Sequence, residues 1–443
     1  MYLKEQQLKK LIKDCNLQHR EDVIEFIKLN PESLGVNELS RIAELVNNSR
    51  RDTAAYYTDY ETLHHLSEHL PHIEKNRIRV LEPSVGVGNF LQIIIDKYSN
   101  AEELIIDVND IDSKSIELVK LLNEYRSIPS NVTINYIVGD YLTADMGVLY
   151  DLVIGNPPFL KLNKKSGLVE YSAIFNDNQT VNIAGFFLQK GLAKSLYVIM
   201  ILPKYFLSNK DFALTRERMK KYSIEKIIDF GEKGFKGVLI ETVAIFINTC
   251  KPVGVTTSYS VTKALKNIQT QERLTSEEFP YWLLYRDKFF DEIACKMQFG
   301  IFKSFRDRQI TNMVVKEQGE VQVLKSRNIN RDGSGITYIS GYDSYINIEE
   351  LPKYSVSKYY ERDDVFLSPN MTYYPRVIRK PAQTITNGSV AILENFSEKV
   401  ILDKHLEFLS SELFEQFYRI ARNHSTRSLN IDENSVFFFG LYD

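Results

Sequence analysis

Apolar residues recur at i, i+3 and i+4 through the first 50 positions, in "LKKLIKDC", "DVIEFIKL" and "ELSRIAELV", with "NPES" and "GVNE" as breaks. That spacing predicts short amphipathic helices, a helical cap over residues 1–50. From about residue 77 the period changes. Strand-like runs ("RVLEP", "LIIDVND", "TINYIVGD", "YDLVIGN", "LYVIMILP", "IEKIIDF", "ETVAIFIN") alternate with helical stretches such as "NFLQIIIDKY", "SIELVKLLNEY", "AGFFLQKGLAKS" and "FALTRERMKKY". Such alternation predicts a doubly wound α/β sheet, placed here over residues 51–250. Past residue 250 it stops. Aromatics and turn residues take over, as in "GSGITYISGYDSYI" and "DDVFLSPNMTYYPRVI", and a helical pattern returns at "LEFLSSELFEQFYRIAR". Residues 251–443 are expected to form a second domain of mixed α+β character.

Composition changes this picture little. A chain of 443 residues with 44% apolar and 26% charged positions suits two globular domains. No apolar stretch reaches the roughly 18 residues of a membrane span. The N-terminus lacks the apolar core of a secretory signal, so a cytoplasmic protein is expected, without membrane attachment. Cys15, Cys250 and Cys295 are odd in number and far apart, which offers neither a disulfide framework nor zinc spacing. A net charge of −3 makes no whole-chain case for a polyanion partner, although a local basic face is enough for one.

Ligands of doubly wound sheets sit at the carboxyl ends of the strands, and four strand ends here break the apolar pattern. In "VLEPSVGVGNFL" a strand enters a turn with Gly86 and Gly88 and then a helix. Glycine lets the backbone approach a ligand closely, and Glu82 before the turn suits a ligand with a positive charge. In "LIIDVNDID" an acid about 20 residues further on can accept from ribose hydroxyls: Asp110, with Asp112 next. In "YIVGDYL" Asp140 can accept from an exocyclic amine and Tyr141 can flank the ring. Each of these alone is as readily a plain turn. The fourth, "VIGNPPFLKLNKK", puts Asn156, Pro157, Pro158 and Phe159 at the end of a buried run, a rarer combination.

Together these strand ends resemble the S-adenosylmethionine-dependent amino-methyltransferases of DNA, specifically the gamma class of TaqI-like adenine-N6 enzymes. The resemblance covers roughly residues 50 to 250. It implies a Rossmann-like methyltransferase sheet followed by a target-recognition domain. It makes Glu82, Gly86, Gly88, Asp110, Asp140 and Tyr141 cofactor-binding residues and Asn156–Phe159 the catalytic motif. Upstream, "AAYYTDYETLHHL" is similar to the segment whose threonine, here Thr58, holds the cofactor's methionine end, with Asp59 where proline is usual. Downstream, Phe235 matches the position of a second aromatic against the target base, beside Phe159 as the first.

This chemistry suits the motif. An adenine amine is a poor nucleophile because its lone pair is conjugated into the ring. The Asn156 side-chain oxygen and the Pro157 carbonyl can draw that lone pair out, and proline pre-aims its carbonyl by locking φ. No metal is needed, and the histidines of "HHLSEHLPH" read as surface or packing residues. Lys161, Lys164 and Lys165 open a long polar stretch, to about Asn182, that suits either a flap ordering on DNA or a solvated loop. In the C-terminal half, Arg306, Arg308, Arg327, Arg331, Tyr373, Arg376 and Arg379 are expected to contact DNA. The partners implied are double-stranded DNA and, in a restriction-modification setting, a separate restriction endonuclease, with the chain a monomer. Rival readings are methylation of a protein glutamine or an RNA base on the same fold, and a non-catalytic DNA-specificity subunit.

Overall fold

The computed structural model describes residues 4–46, 60–234, 240–372, 374–426 and 430–443. They form two compact units, Met1–Arg273 and Leu274–Asp443. Among the described residues, no helix is long and apolar enough to cross a membrane.

The first unit opens with helices α1 (Glu5–Asp14), α2 (Arg20–Leu29) and α3 (Val36–Val46). Their apolar stripes (Leu8; Val23, Phe26 and Ile27; Leu39, Ile42 and Val46) share one core with Leu118, Leu121 and Leu122 of α6 (Ser113–Asn123) and with Val87. The helical cap is thus built into the first unit. Helix α4 (Tyr60–Ser67) leads into the sheet.

Nine strands follow: β1 (Arg77–Glu82), β2 (Glu103–Asp110), β3 (Val132–Val138), β4 (Tyr150–Gly155), β5 (Ser195–Pro203), β6 (Ser223–Gly231), β7 (Thr242–Asn248), β8 (Val255–Ser260) and β9 (Lys266–Thr270). Their order is β3-β2-β1-β4-β5-β7-β6-β8-β9. Strands β1 to β5 are mutually parallel, and β7 lies antiparallel between β5 and β6. Crossovers run through α5 (Leu91–Tyr98), α6, α8 (Ile183–Lys194) and α9 (Ala213–Met219). Apolar runs such as β4, buried at every position, form the middle of the sheet, as strands covered on both faces must. The chain winds from β1 outward to β3, then returns to β4 on the other side of β1. That reversal opens a crevice at the carboxyl ends of β1 and β4.

The domain boundary expected at residue 250 moves to 273, because β8 and β9 belong to the same sheet. They escape the apolar pattern because the inward positions of β8 are Thr256, Ser258 and Ser260, polar side chains buried beside β6.

The second unit carries a four-stranded sheet in the order Phe302–Phe305, Val390–Asn395, Phe366–Pro369, Ile378–Arg379, and a three-stranded one of Ser344–Ile346, Val321–Leu324 and Thr384–Thr386. One core joins them through Val321, Val323, Ile385, Val390 and Ile392. The helical pattern at 406–422 is two helices, Asp403–Leu409 and Glu412–Ala421, split where Ser411 caps the second by accepting from Phe414 N. Phe290 stacks on Phe417 of that helix at 4.6 Å. The mixed α+β expectation describes this unit.

Candidate active site

The crevice between β1 and β4 collects the predicted strand ends. After β1 the chain turns through Gly86 (φ +56°) and Gly88 (φ +75°), conformations that favour glycine. A Cβ on Gly88 would come within 2.9 Å of Leu91 Cδ1 and 3.3 Å of Val119 Cγ1, so this turn also needs the small residue for packing. Asp110, at the end of β2, accepts from Gly86 N at 3.0 Å through Oδ2 and from Asp112 N at 3.0 Å through Oδ1. Burial raises its pKa to about 6. Glu82 is 1% exposed, and its Oε2 has no partner among the described residues. Burial lifts that carboxyl well above the usual range, with Arg126 pulling the other way.

Asp140 follows β3. Its Oδ1 accepts from Leu142 N at 2.9 Å, and its Oδ2 accepts from the Tyr171 hydroxyl at 3.0 Å. Tyr141, expected to flank a bound ring, is 1% exposed and packs as a core residue against Phe187 at 5.1 Å, with the Lys190 ammonium 4.8 Å from its centroid. Lys190 pins the loop by donating to the carbonyls of Tyr141, Leu142 and Ala144. Neither Tyr171 nor Lys190 stands out in the sequence. The fold brings them to Asp140 from 31 and 50 positions away.

Asn156 begins immediately after β4. Strand β4 ends so close to the glycine turn that a Cβ on Gly155 would sit 3.1 Å from Pro83 Cδ. Ser84 Oγ donates to the Asn156 carbonyl at 3.2 Å. Pro157 and Phe159 are buried, while Asn156 and Pro158 are half-buried. Burial of Phe159 means that its face reaches a base only after its neighbours shift.

The stretch that follows is tied down at both ends, which corrects the expectation of a flap or a solvated loop. Lys161 bridges to Asn182, and a helix, α7 (Leu168–Ile174), occupies its middle. Arg218 donates to the carbonyls of Phe175 and Asn176 at 2.8 Å each, and Gln189 donates to Asp177 at 2.6 Å. Lys161 pairs with Asp211 at 3.0 Å; Lys164 and Lys165 are exposed. At the ends of β5 and β6, buried Lys204 donates to Asp229 at 2.8 Å and lies 3.6 Å from Glu241. Thr58 and Phe235 lie outside the described residues.

Both motifs, glycine turn and Asn-Pro-Pro-Phe, therefore touch at the switch point of one sheet. Residues 26–235 match the Eco57I restriction-modification methylase family. S-adenosylmethionine is the cofactor that goes with this methylase type. The chain is also 28% identical over 173 residues to the type II methyltransferase M.CvrRI of Paramecium bursaria Chlorella virus XZ-6E, which covers 39% of this chain and 41% of that protein. It thus spans less than half of the curated relative's length. Among solved structures it is similar to the type IIL restriction-modification enzyme MmeI in complex with DNA (12% identity, TM-score 0.49, 98% of this chain and 67% of that one). It is also similar to a type I methyltransferase subunit from Streptococcus thermophilus (15%, 0.40, 52% and 54%).

The residues of the crevice fit that cofactor. An orphaned, buried carboxylate oxygen on Glu82 offers an acceptor to a cationic group, and Asp110, whose two oxygens each accept one backbone N–H, keeps a second lone pair on each for hydroxyls. Among the described residues no group of three or more metal-ligating side chains converges. His69 packs edge-on against Tyr259 at 5.3 Å.

In the second unit, Arg306 and Arg308 border a cleft of about 420 Å³ that Ser326, Asn370, Ser389 and Asn430 also line. Arg306 donates to Asn430 at 2.9 Å. Arg327 and Arg331 lie over the rings of Tyr342 and Tyr374, at 4.6 and 4.1 Å. Arg376 is a brace rather than an open contact: it donates to the carbonyls of Ile329 and Tyr374 at 3.1 Å each. Arg379 donates to the Ile401 carbonyl at 3.0 Å and to Asp403 at 3.2 Å. Tyr373 lies outside the described residues.

Proposed function

We propose that this chain is a site-specific DNA methyltransferase acting on the N6 amine of an adenine turned out of the duplex. The observation that carries the reading is the contact of the Asn-Pro-Pro-Phe segment with the glycine turn at the β1/β4 crevice. On this reading the two amine acceptors, the Asn156 side-chain oxygen and the Pro157 carbonyl, work beside the methyl donor.

S-adenosylmethionine supplies an activated methyl group on a sulfonium. Glu82, Asp110 and Asp140, with Thr58 and the glycine turn, hold the donor by its amine, ribose and adenine. The Asn156 side-chain oxygen and the Pro157 carbonyl take the two N–H bonds of the target amine, pulling its lone pair out of the ring's conjugation. Pro157 and Pro158 fix the backbone, so these acceptors need little reorganisation. Phe159 and Phe235 give the extruded base faces on which to stack, worth about 1–3 kcal/mol per base. Lys164, Lys165, the two arginines bordering the second unit's cleft (Arg306 and Arg308) and the ring-stacked Arg327 and Arg331 contact DNA. A separate restriction endonuclease, or none in an epigenetic role, completes the setting, with the chain a cytoplasmic monomer.

Methylation of a protein glutamine or an RNA base uses the same four-residue motif. The arginine-bordered cleft of a 170-residue second unit favours DNA. Transfer of labelled methyl to DNA, RNA and protein substrates tests the choice. Asn156→Ala should lower transfer by about 100-fold or more, as removal of one preorganised acceptor does, while S-adenosylhomocysteine binding persists. Unchanged transfer would refute the catalytic assignment.

A further inference from the structure

The N-terminal helices reach the cofactor turn by two separate polar routes. Arg20, in the first turn of α2, pairs with the Asp112 carboxylate across 92 positions. Asp112 caps α6 by accepting from Lys114 N, and its own N–H donates to Asp110 Oδ1 at 3.0 Å. Asp110 Oδ2 in turn accepts from Gly86 N. A continuous chain of hydrogen bonds thus runs from the cap, through the acid, to the glycine turn. On the other side of that turn, Asn89 donates to Glu44 of α3 at 2.6 Å. Glu44 is 4% exposed, and Arg41 holds its second oxygen at 2.6 Å.

Neither route is needed to attach the cap. Its apolar core with α6 and Val87 does that already, and part-exposed ion pairs add little to stability. What the two routes have in common is the turn 86–89 and the acid beside it. The family match begins at residue 26, so Arg20 lies outside it.

We infer that the helical cap is a working part of the cofactor site: Arg20, acting through Asp112, is a positioning residue for Asp110, and Glu44, acting through Asn89, is one for the glycine turn. The inference rests on the methyl-donor reading of the crevice. A carboxylate must present a fixed edge to two ribose hydroxyls, and Asp110 has both oxygens already engaged by backbone N–H groups of two different turns. Holding Asp112 keeps those turns in one relative position.

The test is calorimetric titration of S-adenosylhomocysteine into the full chain, with unliganded melting temperatures measured alongside. Arg20→Ala and Asp112→Asn should each weaken binding about three- to tenfold, and the double variant should be no worse than either alone, since both break one route. Arg20→Lys should recover most of the affinity, and Asn89→Ala should cause a separate loss that adds to that of Arg20→Ala. Melting temperatures should stay near that of the unaltered chain. Unaltered affinity in Arg20→Ala, or losses that track the melting temperature, would overturn the inference. An unaltered chain that does not bind at all would instead refute the cofactor reading, and the inference with it.

Discussion

At the scale of single residues, the crevice is defined by carboxyl groups held in an unfavourable state. Glu82 and Asp110 are both pushed up by burial, so part of the cost of desolvation is met by keeping a proton. A cationic ligand reverses that preference, and its binding must then release protons. The sign follows directly. Asp110 titrates at about 6 in the ligand-free chain and lower with ligand, so affinity for S-adenosylmethionine should fall as pH drops through 6, and Asp110 itself contributes no further change above it. Glu82 adds a second released proton at higher pH. Titrations in buffers of different ionisation enthalpy should count these protons, and Glu82→Gln should remove one while weakening binding by about tenfold, the scale of one charge-assisted hydrogen bond. A proton count unchanged by Glu82→Gln would place the ligand's cationic group elsewhere. Glu82, Gly86, Gly88, Asp110, Asp140 and Asn156 were legible because each interrupts an apolar strand at its carboxyl end. Tyr171 and Lys190 were not, because nothing local distinguishes a tyrosine on a short helix or a lysine near a helix end.

At the scale of elements, strands β5, β6 and β7 meet in a buried charge cluster that apolar patterning does not anticipate. Lys204 directly follows β5, Asp229 lies near the end of β6 and Glu241 precedes β7, and the three side chains are at most 4% exposed. Lys204 N also donates to the Glu241 carbonyl at 2.7 Å. One ammonium therefore joins three strand ends. Lys204→Met removes the cation that two buried carboxylates share, and should cost about 3–5 kcal/mol of unfolding free energy in denaturant titration. A loss below about 1 kcal/mol would mean that solvent reaches the cluster. Patterning located the seven strands up to residue 248 because each carries an apolar run. It stopped short of β8, whose buried face is serine and threonine, satisfied in part by bonds such as Thr256 Oγ1 to the Ile224 carbonyl at 2.6 Å.

At the scale of the whole molecule, the chain is two units, each with its own core, divided after Arg273. A chain ending at residue 250 lacks β8 and β9 and leaves the β6 edge unpaired over Lys226–Asp229, where it bonds β8. Such an edge invites aggregation. A chain ending at Arg273 should be soluble, cooperative in thermal melting and able to bind S-adenosylhomocysteine, whereas one ending at residue 250 should aggregate. Equal behaviour of the two would mean that β8 and β9 are dispensable to the unit.

What the sequence alone determined is the alternation of strands and helices, the mixed second half and the four polar strand ends. These follow from short-range periodicity and from residue types that a buried strand does not otherwise tolerate. The tertiary structure decided which strand ends meet. It placed β1 beside β4 and so pressed Gly155 against Pro83, joined the cap to the glycine turn through Arg20 and Glu44, and extended the sheet to residue 270. Those contacts link residues far apart in the chain, and no local pattern encodes a partner that only the winding of the sheet brings within reach.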